Sequence, residues 1–320
     1  MIQRGVDKPI FVISLDTELL WGLSHTPGVR AREYVEWVRK DPTGCREAID
    51  FLLGVFEKYE IPATWAVCGH LFLDHCEREN GILHRDMPRF KNDWYACDPG
   101  TDILRDPLYY GKDIVEKILS SHIKHEIAYH SFSHVDFSQC SREVAEAEVR
   151  KGIELAQEFG ITFKSFIFPW NAVGHLDVLQ NHGFLAYRSP EPWRYDSGQS
   201  LVRRKINAFL DLLLAPLADI KWRQGIWEIV ASMAFWEQQY PFLLLPRAKL
   251  GVWRAIKQRK IFHVLSHPYT FVLCPSLKQK LDGLLAFVAS KRDKGQLEVM
   301  TMGDIASLAA ARRAAIDRDS

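Results

Sequence analysis

Short apolar runs alternate with segments of helical period along most of the chain. PIFVISLD (9–16) reads as a buried strand, CREAIDFLLGVFEKY (45–59) as a helix and IPATWAVC (61–68) as a second strand. GKDIVEKILSS (111–121) is helical and HEIAYHS (125–131) a strand. SREVAEAEVRKGIELAQEFG (141–160) is a helix, with Ser141 as N-cap and Gly160 as stop. FKSFIFPW (163–170) is a strand ending at a proline, HLDVLQNHG (175–183) a short helix and FLAYRS (184–189) a short strand. IWEIVASM (226–233) is strand-like, PRAKLGVWRAIKQRK (246–260) helical and IFHVLSHP (261–268) a strand. PSLKQKLDGLLAFVASKRDKG (275–295) is a helix and QLEVMTM (296–302) a strand. GDIASLAAARRAA closes the chain as a helix whose end frays at the surface.

Two stretches break the alternation. Residues 79–111 are polar, carry prolines and aromatics, and read as an insertion or lid. Residues 190–225 are ambiguous and are taken as a second insertion. Repeated strand–helix units predict an α/β fold, a parallel sheet covered by helices. Seven or eight such units close, or nearly close, into a barrel. The whole chain, 1–320, is read as one catalytic domain without internal repeats.

Composition narrows the classes. A length of 320 residues suits a barrel with insertions, and 47% hydrophobic with 25% charged residues fits a soluble protein with a full core. Lys plus Arg is 41 and Asp plus Glu is 40, so no electrostatic footprint for nucleic acid is visible. No apolar run of ~18 residues predicts a transmembrane helix. The start, MIQRGVDKPIFVIS, lacks the pattern of a signal peptide. The six cysteines form no CxxC pair and are expected to be reduced thiols in a cytoplasmic protein.

HSFSH (130–134) places two histidines four apart. Along a strand they would lie roughly 13 Å apart, and across one helical turn about 6 Å. They can share a metal only if the strand ends at His130 and the chain coils there. Ser131 and Ser133 suit such a turn, since hydroxyls cap free N–H groups. The same spacing also arises by chance in an ordinary loop. In SLDTE (14–18), Asp16 and Glu18 face one side of a strand. Either they are acids solvated beyond the strand end, or one joins the histidines in a three-ligand site while the other acts as base. His267, just before Pro268, stands where a strand must stop, as a general acid or as a histidine satisfied in a turn.

SLDTE, ATWAVCGHLF (63–72), HSFSH, FPWN (168–171) and LSHP (265–268) come in the order and spacing of the polysaccharide deacetylases, carbohydrate esterase family four. HSFSH fits the family pattern H-[ST]-x-x-H. The resemblance implies a distorted (β/α) barrel with about seven parallel strands. It also implies one divalent metal on a carboxylate and two histidines, and hydrolysis of an N-acyl group on a sugar. Carried over by position, His130 and His134 are metal ligands, Asp16 the base, His267 the acid and Leu265 part of an acyl-methyl pocket. Zinc is expected, with cobalt, nickel or manganese as alternatives. Two positions depart from the pattern. Asp16-Thr17-Glu18 replaces adjacent aspartates, so Glu18 is assigned to the metal. Ile167-Phe168-Pro169-Trp170 lacks the arginine that orients the base, and Arg188, on the next strand, is the expected replacement and substrate-site residue. The backbone N–H of Trp170 is expected to help hold the oxyanion.

Other residues extend the picture. Trp21, Trp94, Tyr95, Trp170 and Trp193 are candidates to stack on sugar, Trp94 and Tyr95 foremost, with packing as the alternative. Asn171 and His175 either reach substrate or cap a helix. CGHLFLDHC (68–76) is rich in metal-binding types, but its spacing fits no common zinc pattern and a structural reading is preferred. INAFLDLLLAPLADI (206–220) and YPFLLLPR (240–247) are apolar enough to touch a membrane surface, form a dimer contact or lie buried. The function expected is removal of an N-acetyl or N-formyl group from an amino sugar, nucleotide- or lipid-linked, for a surface polysaccharide. An allantoinase-like cyclic-amide hydrolase and a non-catalytic glycan binder are the alternatives.

Overall fold

Each strand expected from the alternation forms, several of them shorter than their apolar runs. The computed structural model describes residues 8–26, 29–91, 94–190, 216–236 and 241–319. Its strands are β1 (Ile10–Thr17), β2 (Thr64–Val67), β3 (Glu126–Tyr129), β4 (Ser165–Ile167), β5 (Ala186–Ser189), β6 (Ile220–Arg223), β7 (Ile226–Val230), β8 (Met233–Ala234), β9 (Ile261–Ser266) and β10 (Glu298–Val299). They form one sheet in the order β6-β7-β5-β4-β3-β2-β1-β9-β8, with β10 beside the start of β1. All pairings are parallel except β6 with β7.

One segment links the two edges of this curled sheet. β7 pairs with β5, and Ala231 N–H still donates to Ser189 O at 3.0 Å. One residue on, Ser232 N–H donates to His263 O at 2.8 Å, and β8 pairs with β9. Counting β7–β8 as one bent stave, β1, β2, β3, β4, β5, β7–β8 and β9 make seven parallel staves, in line with the expected number.

Alternation along the strands sorts side chains into two cores. Phe11, Ile13, Leu15, Trp65, Val67, Tyr129, Phe166, Phe262 and Val264 face outward, into one large cluster with the surrounding helices. Ile10, Val12, Ala66, Ala128, Ile167, Ala186 and Ile261 face inward. Met302, Ile305, Ala306 and Ala309 of the helix Met302–Asp319 join that inner cluster and plug the end where the strands begin. Glu126 fixes the plug by accepting from Gly303 N–H at 2.8 Å. Chemistry is therefore left to the opposite end, above the last inward residues.

One expected strand is shortened, and two elements are new. QLEVMTM keeps only Glu298–Val299 as strand, because Met302 already starts the plugging helix. Within 190–225, residues 191–215 lie outside the described residues, and β6 forms a hairpin with β7. Its turn residues Gln224 and Gly225 have φ of 45° and 83°, the paired positive values of a tight two-residue hairpin. Helix Val29–Lys40 was not foreseen; its mean composition is too polar to announce a core face.

Candidate active site and metal centre

β1 ends by delivering three polar side chains in a row on the inner side. Ser14 and Asp16 lie within the strand, and Glu18 follows its last residue. The chain then turns sharply at Leu19, φ 48°. Gly22 makes room for the Glu18 carboxylate: a Cβ there would stand 2.1 Å from it. Both acids are buried.

β3 ends at Tyr129, and the HSFSH segment bends as a loop rather than the helical turn expected. Ser131 and His134 take φ of 58° and 60°, which brings the two imidazoles to 5.0 Å between centroids. Ser131 Oγ does cap a backbone group, Val135 N–H, at 3.2 Å. Ser133 does not: its hydroxyl donates to Glu148 Oε1 at 2.6 Å. Glu148 Oε2 also accepts from Phe132 N–H at 2.8 Å and Ser133 N–H at 2.9 Å. This buried glutamate, on the helix Arg142–Glu158, holds the loop in shape and was not singled out from sequence. The available signal was one acid on the apolar face of that helix, between Ala145 and Val149.

Glu18 Oε2 lies 3.1 Å from His130 Nε2 and 2.8 Å from His134 Nε2. His130 Nδ1 lies 2.7 Å from the Ile167 carbonyl, an acceptor only, so Nδ1 carries the hydrogen. In the neutral ring Nε2 is then a bare lone pair turned toward a carboxylate, the tautomer a metal ligand needs. Two imidazole nitrogens and one carboxylate oxygen, all buried, thus fit one divalent cation with an open coordination position. Burial works to raise the Glu18 carboxyl, but when the imidazoles are protonated instead of holding a cation, the charge on His134 and the hydrogen bonds from both rings hold it well below the usual range.

Arg188 projects inward from β5 and is fully buried. Its Nη1 and Nη2 meet Asp16 Oδ1 and Oδ2 at 2.6 and 2.5 Å. Nη1 also donates to Ser14 Oγ at 3.1 Å, and Nη2 to Asn171 Oδ1 at 3.1 Å. Ser14 Oγ in turn lies 2.9 Å from Nε2 of the buried His263. Burial pushes the Asp16 carboxyl up; Arg188, then His267 and His130, outweigh it and hold the group below its ordinary value. His263 is pushed down to about 3, first by burial and then by Arg188. Sequence reasoning did not single out Ser14 or His263 as parts of this chain.

His267, just past β9, turns Nε2 toward both acids, 3.8 Å from Asp16 Oδ2 and 3.9 Å from Glu18 Oε1. Leu265 forms a small apolar cluster with Ala231 and Ala234, against which Trp236 packs. Trp170 has φ 52°, its ring centroid stands 4.4 Å from that of His134, and its Nε1 donates to Thr26 Oγ1 at 3.0 Å.

Several expected substrate contacts are placed otherwise. Trp94 is buried: one face stacks on His25 at 3.7 Å, Phe90 meets it edge-on, and Nε1 donates to Ser133 O at 2.9 Å. It is a wall of the site rather than a platform for sugar, because packing has taken its face. Tyr95 is buried against His84, and Trp21 against His70. Asn171 is turned to Arg188, and His175 Nε2 lies 3.0 Å from Cys140 O. Trp193 lies outside the described residues.

A profile of the polysaccharide deacetylase family matches residues 42–184. That span takes in HSFSH and FPWN and stops short of β1 and LSHP. No curated protein matches the chain. Among solved structures it is similar to a Mycobacterium smegmatis protein assigned to the polysaccharide deacetylases, at 14% identity and TM-score 0.59, over 98% of this chain and 93% of that one. The 4-alpha-glucanotransferase of Thermococcus litoralis follows at 12% identity and TM-score 0.52, over 94% of this chain and 40% of that one. Puue allantoinase is similar at 13% identity and TM-score 0.50, over 94% and 90%. At such identities the likeness speaks for the fold. Residues 42–184 thus match the polysaccharide deacetylase family model and form part of the barrel that carries the site described above.

Proposed function

We propose that the chain is a metal-dependent hydrolase that removes an N-acetyl or N-formyl group from an amino sugar. The observation that carries this is the convergence of Glu18, His130 and His134 beside an arginine-clamped Asp16 and a facing His267. Glu18, His130 and His134 would hold the metal, zinc by choice for such N and O donors, and when bound it supplies Lewis-acid polarisation and acidification of water.

The chain's own residues do the proton work. Asp16, kept ionised by Arg188, accepts the proton of the water that attacks the amide carbonyl. The backbone N–H of Trp170 donates to the oxygen that gains charge. His267 protonates the nitrogen as the C–N bond breaks, releasing a free amino sugar and acetate or formate. Leu265, with Ala231 and Ala234, receives the acyl methyl. Arg188 positions Asp16 and does not touch substrate, since it is fully buried and its guanidinium is occupied by Asp16, Ser14 and Asn171.

The proposal extends to a nucleotide- or lipid-linked sugar as substrate, a precursor of a surface polysaccharide. Phe242 is 72% exposed, and Leu250 and Trp253, three apart on the helix Leu244–Gln258, are exposed, with the Lys257 ammonium 3.7 Å over the Trp253 ring; apolar and basic groups together favour a lipid-linked carrier. Among the described residues no helix is long and apolar enough to cross a membrane.

The test is release of acetate or formate from nucleotide- and lipid-linked N-acyl sugars by purified protein, beside ring opening of a cyclic ureide. Elemental analysis of the wild type and of His130→Ala accompanies it. Acyl release that fails in His130→Ala supports the proposal. Ureide ring opening, or sugar binding without turnover by metal-loaded protein, would replace it.

A further inference from the structure

His70 and Cys76 follow β2, and His84 and Asp98 come from the 79–111 segment, yet their donor atoms all lie within 4.8 Å of one another. Asp98 Oδ2 is 3.0 Å from His70 Nε2 and 2.7 Å from His84 Nε2. Cys76 Sγ is 3.2 Å from His70 Nε2 and 3.9 Å from His84 Nε2. Around a tetrahedral zinc, with bonds of roughly 2.0–2.3 Å, neighbouring donors stand about 3.2–3.7 Å apart. The four atoms already bracket that spacing.

Hydrogen-bond chemistry favours a cation between them. His70 Nδ1 lies 2.9 Å from the Tyr109 carbonyl, so Nδ1 carries the hydrogen and Nε2 of the neutral ring is bare. That bare nitrogen meets the Asp98 oxygen, an encounter of acceptors, and the Cys76 thiol stands beside them at 3.2 Å. Asp98 Oδ1 is held from behind by Gly100 N–H and Tyr110 O–H, each at 2.9 Å. Backing of this kind is what orients metal ligands. One thiolate and one carboxylate carry two negative charges, which a single dication balances. A cysteine nucleophile fits less well. It needs the thiol on one ring nitrogen and the acid on the other, whereas Cys76 and Asp98 share His70 Nε2.

We propose that His70, Cys76, His84 and Asp98 form a second metal site, structural in role and suited to zinc(II). It would fasten the 79–111 segment to the barrel. The rings of His70 and His84 pack on Phe132, at 5.6 and 5.3 Å, inside HSFSH. Trp94, between His84 and Asp98 in the chain, donates to Ser133 O. The ion would therefore brace the loop that presents His130 and His134. The site escapes common zinc patterns because its ligand spacings are 6, 8 and 14 residues.

Cobalt(II) tests this on the whole chain, because only this site contains sulfur. Protein stripped of metal and reloaded with cobalt should show thiolate-to-cobalt charge-transfer absorption and the intense visible bands of tetrahedral cobalt. Zinc-loaded wild type should hold about two ions per chain and Cys76→Ser about one. His130→Ala should lose one ion and keep the thiolate band. A wild type without that band, or a Cys76→Ser that retains it, would overturn the proposal. The band is independent of turnover, so its loss and the loss of acyl release are separate failures. Should either variant fail to fold, the wild-type spectrum alone still decides.

Discussion

Arg188 grips Asp16 with both arms of its guanidinium, at 2.6 and 2.5 Å, on a pair contributed by β5 and β1. These strands are not neighbours; they face each other across the barrel. A bidentate fork fixes the plane of the carboxylate and opposes its protonation. Replacing Arg188 by Met removes that charge, so the Asp16 pKa should rise. The acid limb of the kcat/KM–pH profile should move to higher pH, and the uncompensated buried acid should cost about 3–5 kcal/mol of stability. Arg188→Lys keeps the charge without the fork and should shift the limb less. An unmoved acid limb in Arg188→Met would remove Arg188 from any role in tuning Asp16.

Gly22 controls Glu18 by leaving space. A methyl group at this position would stand 2.1 Å from the carboxylate, so Glu18 must move in Gly22→Ala. Metal affinity is expected to fall about 10–100-fold, in the range seen when the support of a ligand is disturbed. Titration with a competing chelator measures it. Unchanged affinity would show that Glu18 is not needed where it stands.

His267 faces the two acids from beyond hydrogen-bond distance, as a proton donor to a departing amine should. His267→Ala should keep its metal and lose turnover by about 10²–10⁴-fold. Added imidazole should restore part of the rate. Loss of the metal in this variant would reassign His267 to the ligand set.

Stability should fall with acid through two neutral histidines, the buried His263 and the half-buried His125. His263 is pushed down to about 3 and His125 to about 4, in both cases first by burial. The unfolded chain takes up these protons near 6.5 while the folded chain refuses them until its lower values. Stability from this source is complete above pH 6.5 and declines as pH falls toward 4, by up to about 1.4 kcal/mol per pH unit for each histidine. Denaturant titrations of the wild type and of His125→Gln between pH 4 and 7 give the two slopes. Equal slopes would exclude His125. His125 is the cleaner probe, since its Nδ1 accepts Ala63 N–H at 3.1 Å away from the acids of the site.

Much of the fold was legible because its signals are local. Apolar runs bounded by Pro and Gly gave the strands, and Ser141 capped its helix as read, accepting from Val144 N–H. Helix Val29–Lys40 and the β6–β7 hairpin were missed where local signals are weak or ambiguous. The acids and histidines of the site were legible through motif order, and period two put Asp16 and Glu18 on one side. Glu148 and Ser14 were not, since an acid in a helix and a serine in a strand look ordinary until their partners are known. Trp94 was read as a platform because nothing local announces that His25, far back in the chain, covers its face.

The sequence by itself determined which segments become strands and helices, and which chemical groups stand at the strand ends. Those are consequences of periodicity and side-chain type, which act over a few residues. Only the tertiary structure decided that Arg188 meets Asp16, that Glu148 shapes the histidine loop, and that His70, Cys76, His84 and Asp98 converge. Such meetings depend on sheet curvature and on how a long segment packs back, which are set by burial of the whole core rather than by any neighbour in the chain.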